Sequence, residues 1–167
     1  LTPTVIRAFD GFDLRVDAIV GPGFSAEQEM EIEETAGDVS ADVHVVRDPD
    51  DLPERMFQSD FAVTTASTTT YELLALGTPI VSCPVVDNQS LIAQALEARD
   101  SALVLERDDG EAAFGRAIET YVTNAELRRT HREHGRELVD GQGPSGWRGF
   151  CATWSMRPPR DGPDVGC

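Results

Sequence analysis

At 167 residues and 40% hydrophobic content the chain holds one domain with a sizeable core and is too short for two full ones. Thirty Asp and Glu face fourteen basic residues, all arginine, for a net charge of −16. A field of that sign excludes a nucleic-acid partner, and the absence of any apolar run near 20 residues predicts no membrane span.

The opening Leu1-Thr2-Pro3-Thr4 has neither a basic n-region nor an apolar h-region, so it reads as an internal cut in a longer protein rather than a signal peptide. Pro3 to Phe12 is a helix candidate with Thr2 as N-cap. Asp17 to Gly21 is a strand that runs into the turn Gly21-Pro22-Gly23-Phe24. Ser25 and Gln28 have capping-box spacing and open an acidic helix to about Ala36. Val43 to Val46 is the second strand, and Asp51 caps a helix carrying Leu52 and Met56 on one face. Phe61 to Thr64 is the third strand, and Thr70 to Leu76 a short helix stopped by Gly77 and Pro79. The fourth strand spans Pro79 to Pro84. Asn88 then opens a helix with Leu91, Ile92, Ala95 and Leu96 at helical spacing. Ala102 to Leu105 is the fifth strand, followed by helices over Glu111–Val122 and Ala125–Leu138.

Short apolar strands alternating with helices predict βαβ units around a parallel sheet: a Rossmann-like α/β domain over residues 1–140. From Gly141 the character changes. The remaining 27 residues hold both tryptophans, two of the three cysteines and four prolines, carry a net +1, and show no apolar period, which predicts an irregular tail. Cys83 is expected in the core, and Cys83, Cys151 and Cys167 share no metal-ligand spacing. In a folded domain, acidic excess with no lysine is self-repulsive unless salt screens it, and composition therefore points to a halophilic, cytoplasmic protein.

Right-handed crossovers bring the strand C-terminal ends to one sheet edge, so three loops converge there: Gly21–Phe24, Thr65–Thr69 and Val85–Gln89. In Thr64-Thr65-Ala66-Ser67-Thr68-Thr69-Thr70-Tyr71-Glu72 a strand feeds a hydroxyl-rich turn that opens a helix. Free N–H groups there suit a diphosphate, with Thr68 and Thr69 hydroxyls beside them and Glu72 one turn in to accept from ribose hydroxyls. Thr69 and Glu72 also have capping-box spacing, and on spacing alone completing the helix start is the favoured role for them. Asp87 or Asn88 suits an N-cap, whereas Gln89 has no capping role and its carboxamide matches sugar hydroxyls. Gly21-Pro22-Gly23 lacks the spacing of a dinucleotide fingerprint. His131 and His134, at i,i+3 on an Arg- and Glu-rich helix, read as a solvated face rather than a metal pair, and His44 lies by a strand without a partner. No catalytic constellation, metal site or cofactor site is predicted.

These motifs together resemble the C-terminal half of GT-B-type nucleotide-sugar enzymes. The similarity is closest to the family of the UDP-sugar hydrolase of pseudaminic acid synthesis and the related spore-coat polysaccharide proteins. A more distant likeness is to the N-acetylglucosaminyltransferase that completes the peptidoglycan lipid precursor. The resemblance rests on Gly21-Pro22-Gly23-Phe24, on Thr68-Thr69-Thr70-Tyr71-Glu72 with Leu76-Gly77-Thr78-Pro79, and on Asp87-Asn88-Gln89. It implies a UDP-sugar ligand, with diphosphate at Thr68 and Thr69, ribose at Glu72, sugar at Asn88 and Gln89, and uracil near Arg47.

It also implies an N-terminal domain, not contained in this sequence, that carries the catalytic histidine; the fragment alone is then inactive. Two departures carry structural expectations. Ala66-Ser67 stands where the family has Gly-Gly, and a Cβ at Ser67 hinders the turn if it needs a positive φ or very close approach of the phosphate. The family's first, central strand, which precedes the opening helix, has no counterpart in this sequence, so the strands at Asp17–Gly21 and Phe61–Thr65 either pair directly or leave a slot, and an open slot invites homo-oligomerisation. A non-catalytic binding or assembly domain and a non-hydrolysing UDP-sugar epimerase are the alternative readings.

Overall fold

The computed structural model describes residues 1–139; the expected irregular tail from Gly141 lies outside them. Five strands and seven α-helices alternate in chain order: α1 (Thr2–Ala8), β1 (Arg15–Val20), α2 (Ala26–Asp38), β2 (Asp42–Arg47), α3 (Leu52–Gln58), β3 (Ala62–Thr65), α4 (Thr68–Leu76), β4 (Ile80–Cys83), α5 (Ser90–Ala98), β5 (Leu103–Val104), α6 (Glu111–Thr123) and α7 (Ala125–Leu138), with a 3₁₀ turn at Asp87–Gln89 ahead of α5. Every strand pairing is parallel, with Val20 opposite Arg47 and Thr65 opposite Cys83. The strands form two sheets, β2-β1 and β3-β4-β5. Of the two expected outcomes for the missing central strand, direct pairing is not the one adopted: among the described residues β1 and β3 belong to separate sheets.

The helices form two layers. Ala18 and Val20 of β1 pack with Ile6 of α1 and Ile32 of α2. Val81 and Cys83 of β4 pack on the same side with Ala8 and Phe9 of α1 and with Phe114, Ala117, Ile118 and Tyr121 of α6. Ile80 of β4 points the other way, to Met56 of α3, Leu73 and Leu74 of α4 and Leu96 of α5. β4 is buried along its whole length, as a strand covered by helices on both faces must be, and in Ile80-Val81-Ser82-Cys83 only Ser82 interrupts the apolar run. Cys83 is a core residue, as its apolar strand predicts.

The local signals explain most boundaries. Ser25 and Gln28 form the expected capping box, the Gln28 amide donating to Ser25 Oγ at 3.2 Å and the Ser25 amide donating to Gln28 Oε1 at 2.9 Å. Gly77 ends α4 at φ 76°, and the Thr78 amide donates to the Leu73 carbonyl at 2.9 Å, a Schellman closure. Arg132 Nε donates to the Gly77 carbonyl at 2.9 Å and Arg136 to the Leu76 carbonyl at 3.1 Å, so two guanidinia from α7 close the carboxyl end of α4.

Other expectations fail for identifiable reasons. α1 ends at Ala8, not Phe12, and Gly11 turns at φ 81° where the Gly11 amide donates to Ser40 Oγ at 2.8 Å. Asp51 precedes α3 without capping it, because its carboxylate accepts from Arg55 Nε at 2.8 Å. Leu91 is 75% exposed: the inserted 3₁₀ turn rotates α5 so that Ala93 and Leu96 face inward.

His131 is the clearest correction. It is 2% exposed, with Nδ1 2.7 Å from the Tyr121 hydroxyl, which itself donates to the Ile80 carbonyl at 2.9 Å. The Arg- and Glu-rich sequence around it describes the rest of α7, whereas position 131 lies on the stripe that docks against α6. Tyr121 is raised above its ordinary range by burial.

Candidate functional site

Because both sheets are parallel, each gathers its strand C-terminal ends at one edge. β3 and β4 are neighbours with Thr65 opposite Cys83, so the loop into α4 and the loop carrying Asn88 and Gln89 emerge side by side. Val20 opposite Arg47 likewise places the Gly21–Phe24 turn beside the end of β2. The predicted residues thus fall into two pairs of adjacent loops. Among the described residues no hydrogen bond or ion pair joins one pair to the other.

The amino end of α4 is open. Ser67 occupies the N-cap position at φ −120° with no side-chain cap, and Thr69 lies inside the helix, so the alternative capping-box role for Thr69 and Glu72 is not the one adopted. A negative φ at Ser67 removes one of the two objections raised by the missing Gly-Gly pair, since this turn needs no left-handed residue. Thr70, unremarked in the sequence beyond its place in the run, holds the turn: fully buried, it donates through Oγ1 to the Thr65 carbonyl at 3.0 Å, while its amide donates to the Ser67 carbonyl at 3.1 Å. That leaves Thr68 exposed and Thr69 half-buried at the helix start. One turn in, Glu72 is half-buried, and burial raises its carboxyl above the usual range. Among the described residues no ion pair or hydrogen bond engages that carboxylate.

The β4 loop has a partly structural explanation. Gln89 Oε1 accepts from the Val85 amide at 2.8 Å, so its carboxamide staples the loop and only its NH₂ group remains for a ligand. Asn88 is exposed and does not cap α5. Asp87 is fully exposed and accepts from Arg107 at 3.0 Å, which adds a residue of the β5 loop to this rim. Arg107 was legible only through topology, since a loop after β5 must leave from the same edge as the loop after β4.

In the other pair, Arg47 is an exposed ion-pair partner of Glu29 on α2. Phe24 packs on the Ile6, Ala18, Val20 and Ile32 cluster and anchors its turn. Gly21 and Gly23 have neither a positive φ nor any atom within 4 Å of an added Cβ, so the fold itself does not require glycine there. His44, the other histidine considered, pairs with Asp42 on the exposed side of β2.

With both arginines of the rim paired to carboxylates, the anion-attracting feature of this edge is neutral: backbone amides and hydroxyls at the start of α4. Among the described residues there is no cluster of His, Cys, Asp and Glu able to hold a metal ion and no helix long and apolar enough to cross a membrane.

A parallel α/β layer structure whose loops form an open helix start at one sheet edge defines a Rossmann-like domain of the GT-B kind. Solved structures agree on the fold. WaaG, a glycosyltransferase involved in lipopolysaccharide biosynthesis, superposes with a TM-score of 0.63 at 17% identity over 94% of this chain and 43% of its own. MurG of Acinetobacter baumannii does so with a TM-score of 0.64 at 14% identity, over 93% of this chain and 44% of its own. The chain therefore spans less than half the length of each. No protein-family model and no curated protein sequence matches it.

Proposed function

We propose that this domain binds the nucleoside diphosphate half of a nucleotide sugar, a UDP-sugar by sequence resemblance, and serves glycosyl transfer or hydrolysis at the anomeric diphosphate in surface glycan synthesis. One observation carries the reading: α4 begins without a side-chain cap, with Thr68 and Thr69 hydroxyls beside its first amides and an unpaired, half-buried Glu72 one turn deeper. Amides and hydroxyls stabilise the diphosphate as charge develops on the leaving group, and they are oriented before it arrives. The Glu72 carboxylate, free of a cation, accepts from vicinal ribose hydroxyls, which offsets its burial. Asn88 and the remaining NH₂ group of Gln89 address the sugar, and the Gly21–Gly23 backbone with the end of β2 at Arg47 addresses the base.

The acceptor, and the group that activates it, belong to a second domain. The motif resemblance to the pseudaminic acid pathway hydrolases supports water as acceptor; the glycosyltransferase neighbours support a sugar or lipid. The acidic, lysine-free composition supports a salt-rich cytosol as the setting.

Calorimetric titration with UDP in molar KCl tests the assignment. Loss of hydrogen bonds to a charged group, about 1.5–3 kcal/mol, weakens Glu72→Ala about tenfold to a hundredfold. Equal affinity of the two proteins refutes the ribose role, and no saturable affinity in either refutes the domain's function.

A further inference from the structure

We propose that the cavity between β5 and α6 binds a free apolar α-amino acid, with its carboxylate on Arg116, its ammonium on Asp109 and its side chain between the strand and the helix.

The cavity has a volume of about 240 Å³, and β5 with Leu105 forms one wall while Ala113 and Ala117 of α6 form the other. Over β4 the same helix fills its layer with Phe114, Ile118 and Tyr121. Beside β5 it offers only two methyl groups, one turn apart, and the space stays open. Pockets for drug-sized ligands run to about 300–1,000 Å³, so the occupant is smaller than these.

The strand contributes polar groups as well as apolar ones. β5 ends the order β3-β4-β5, so among the described residues one of its edges has no partner strand. Val104 lies opposite Ser82, and the Leu105 amide donates to the Ser82 carbonyl at 2.8 Å. In a parallel pair that phase turns the Val104 amide and carbonyl to the free edge. Leu103 and Leu105 pack in the α6 layer, but the Val104 side chain packs in the opposite one, so Val104 meets the cavity through its backbone.

Two charged side chains of opposite sign complete the lining. Arg116, in the second turn of α6, is exposed. Among the described residues no ion pair or hydrogen bond engages its guanidinium, although the chain has 30 acidic residues to 14 basic ones. Asp109 is half-buried, and its Oδ2 accepts from the Glu106 amide at 2.8 Å, which leaves Oδ1 open. The two line one cavity without pairing with each other.

That combination selects a zwitterion. A plain carboxylic acid leaves Asp109 facing it uncompensated, and a plain amine does the same to Arg116. An α-amino acid satisfies every open group: the guanidinium and the Val104 amide donate to its carboxylate, and its ammonium donates to Asp109 Oδ1 and the Val104 carbonyl. Its side chain must be apolar, because it meets Leu103, Leu105 and the two alanines, and the neighbouring Thr120 hydroxyl already donates to the Arg116 carbonyl at 2.7 Å. The site is separate from the nucleotide reading and does not depend on it.

Proton–nitrogen NMR of the full 167-residue chain in molar KCl, titrated with L-leucine, tests this. A ligand of this size binds at about millimolar strength, so additions reach about 20 mM. The expected result is saturable shifts at the amides of Leu103, Val104, Leu105 and Ala113. 4-Methylpentanoate, which lacks the ammonium, and 3-methylbutylamine, which lacks the carboxylate, bind about tenfold more weakly or worse, and Arg116→Gln weakens leucine by about tenfold or more. Arg116 is exposed and bonded to nothing else described, so its loss leaves the fold intact, and the two analogues give the same decision on the unaltered chain. Absence of saturation, equal binding of either analogue, an unchanged affinity in Arg116→Gln, or shifts confined to other loops each overturn the proposal.

Discussion

Gly77 links the site to the rest of the fold, because it closes the helix whose other end faces the ligand. Replacing it with alanine has two costs. At φ 76° an L-residue loses about 1–2 kcal/mol. The added Cβ lies 2.3 Å from Arg136 Nε, so the guanidinium must leave and give up its bond to the Leu76 carbonyl. That bond is worth about 0.5–1.5 kcal/mol net. Together Gly77→Ala costs about 2–3 kcal/mol, or about 4–12 °C in Tm for a domain of this size. Urea unfolding followed by circular dichroism in molar KCl measures it, and the Arg136→Ala background separates the parts. With no guanidinium to displace, Gly77→Ala falls to about 1–2 kcal/mol there, the backbone share alone. A cost below about 0.5 kcal/mol in the native background refutes the strain argument. Equal costs in both backgrounds refute the steric one.

Gly21→Ala and Gly23→Ala provide the contrasting case. With open space at both positions they leave unfolding unchanged within about 0.5 kcal/mol, and weakened UDP binding by either marks close approach of the ligand. Stability also depends on pH through His131, whose pKa burial lowers, against the raising influence of Asp100 3.5 Å from Nε2. A depressed histidine favours the neutral folded form, so stability is full above the unfolded value near 6.5 and falls as pH drops below it toward the lowered native value. His131→Asn flattens that slope between pH 7.5 and 5.5 in urea titrations, and an unchanged slope assigns it elsewhere. Finally, a chain of net charge −16 gains stability from screening, so the thermal midpoint rises from 0.1 to 2 M KCl. A flat or falling midpoint removes the case for a salt-rich setting.

Sequence patterns with purely local causes were legible. Ser25 and Gln28 satisfy each other within one helix turn, Gly77 supplies a conformation other residues resist, and strands alternating with helices leave few topologies other than a parallel sheet. The threonine turn was legible as a helix start, but not its choice between capping and an open end. That choice depended on Ser67 taking the N-cap position and Thr70 reaching back to Thr65.

What tertiary structure decided concerns positions where a side chain's neighbours come from distant sequence. His131 is buried because α7 docks on α6, Leu91 is exposed because a 3₁₀ turn resets the phase of α5, and Arg107 reaches Asp87 across two strand ends. The division of the strands into two sheets is of the same kind. Strand pairing is long-range, so the alternation of apolar residues names the strands, and only the assembled layers determine which edges meet.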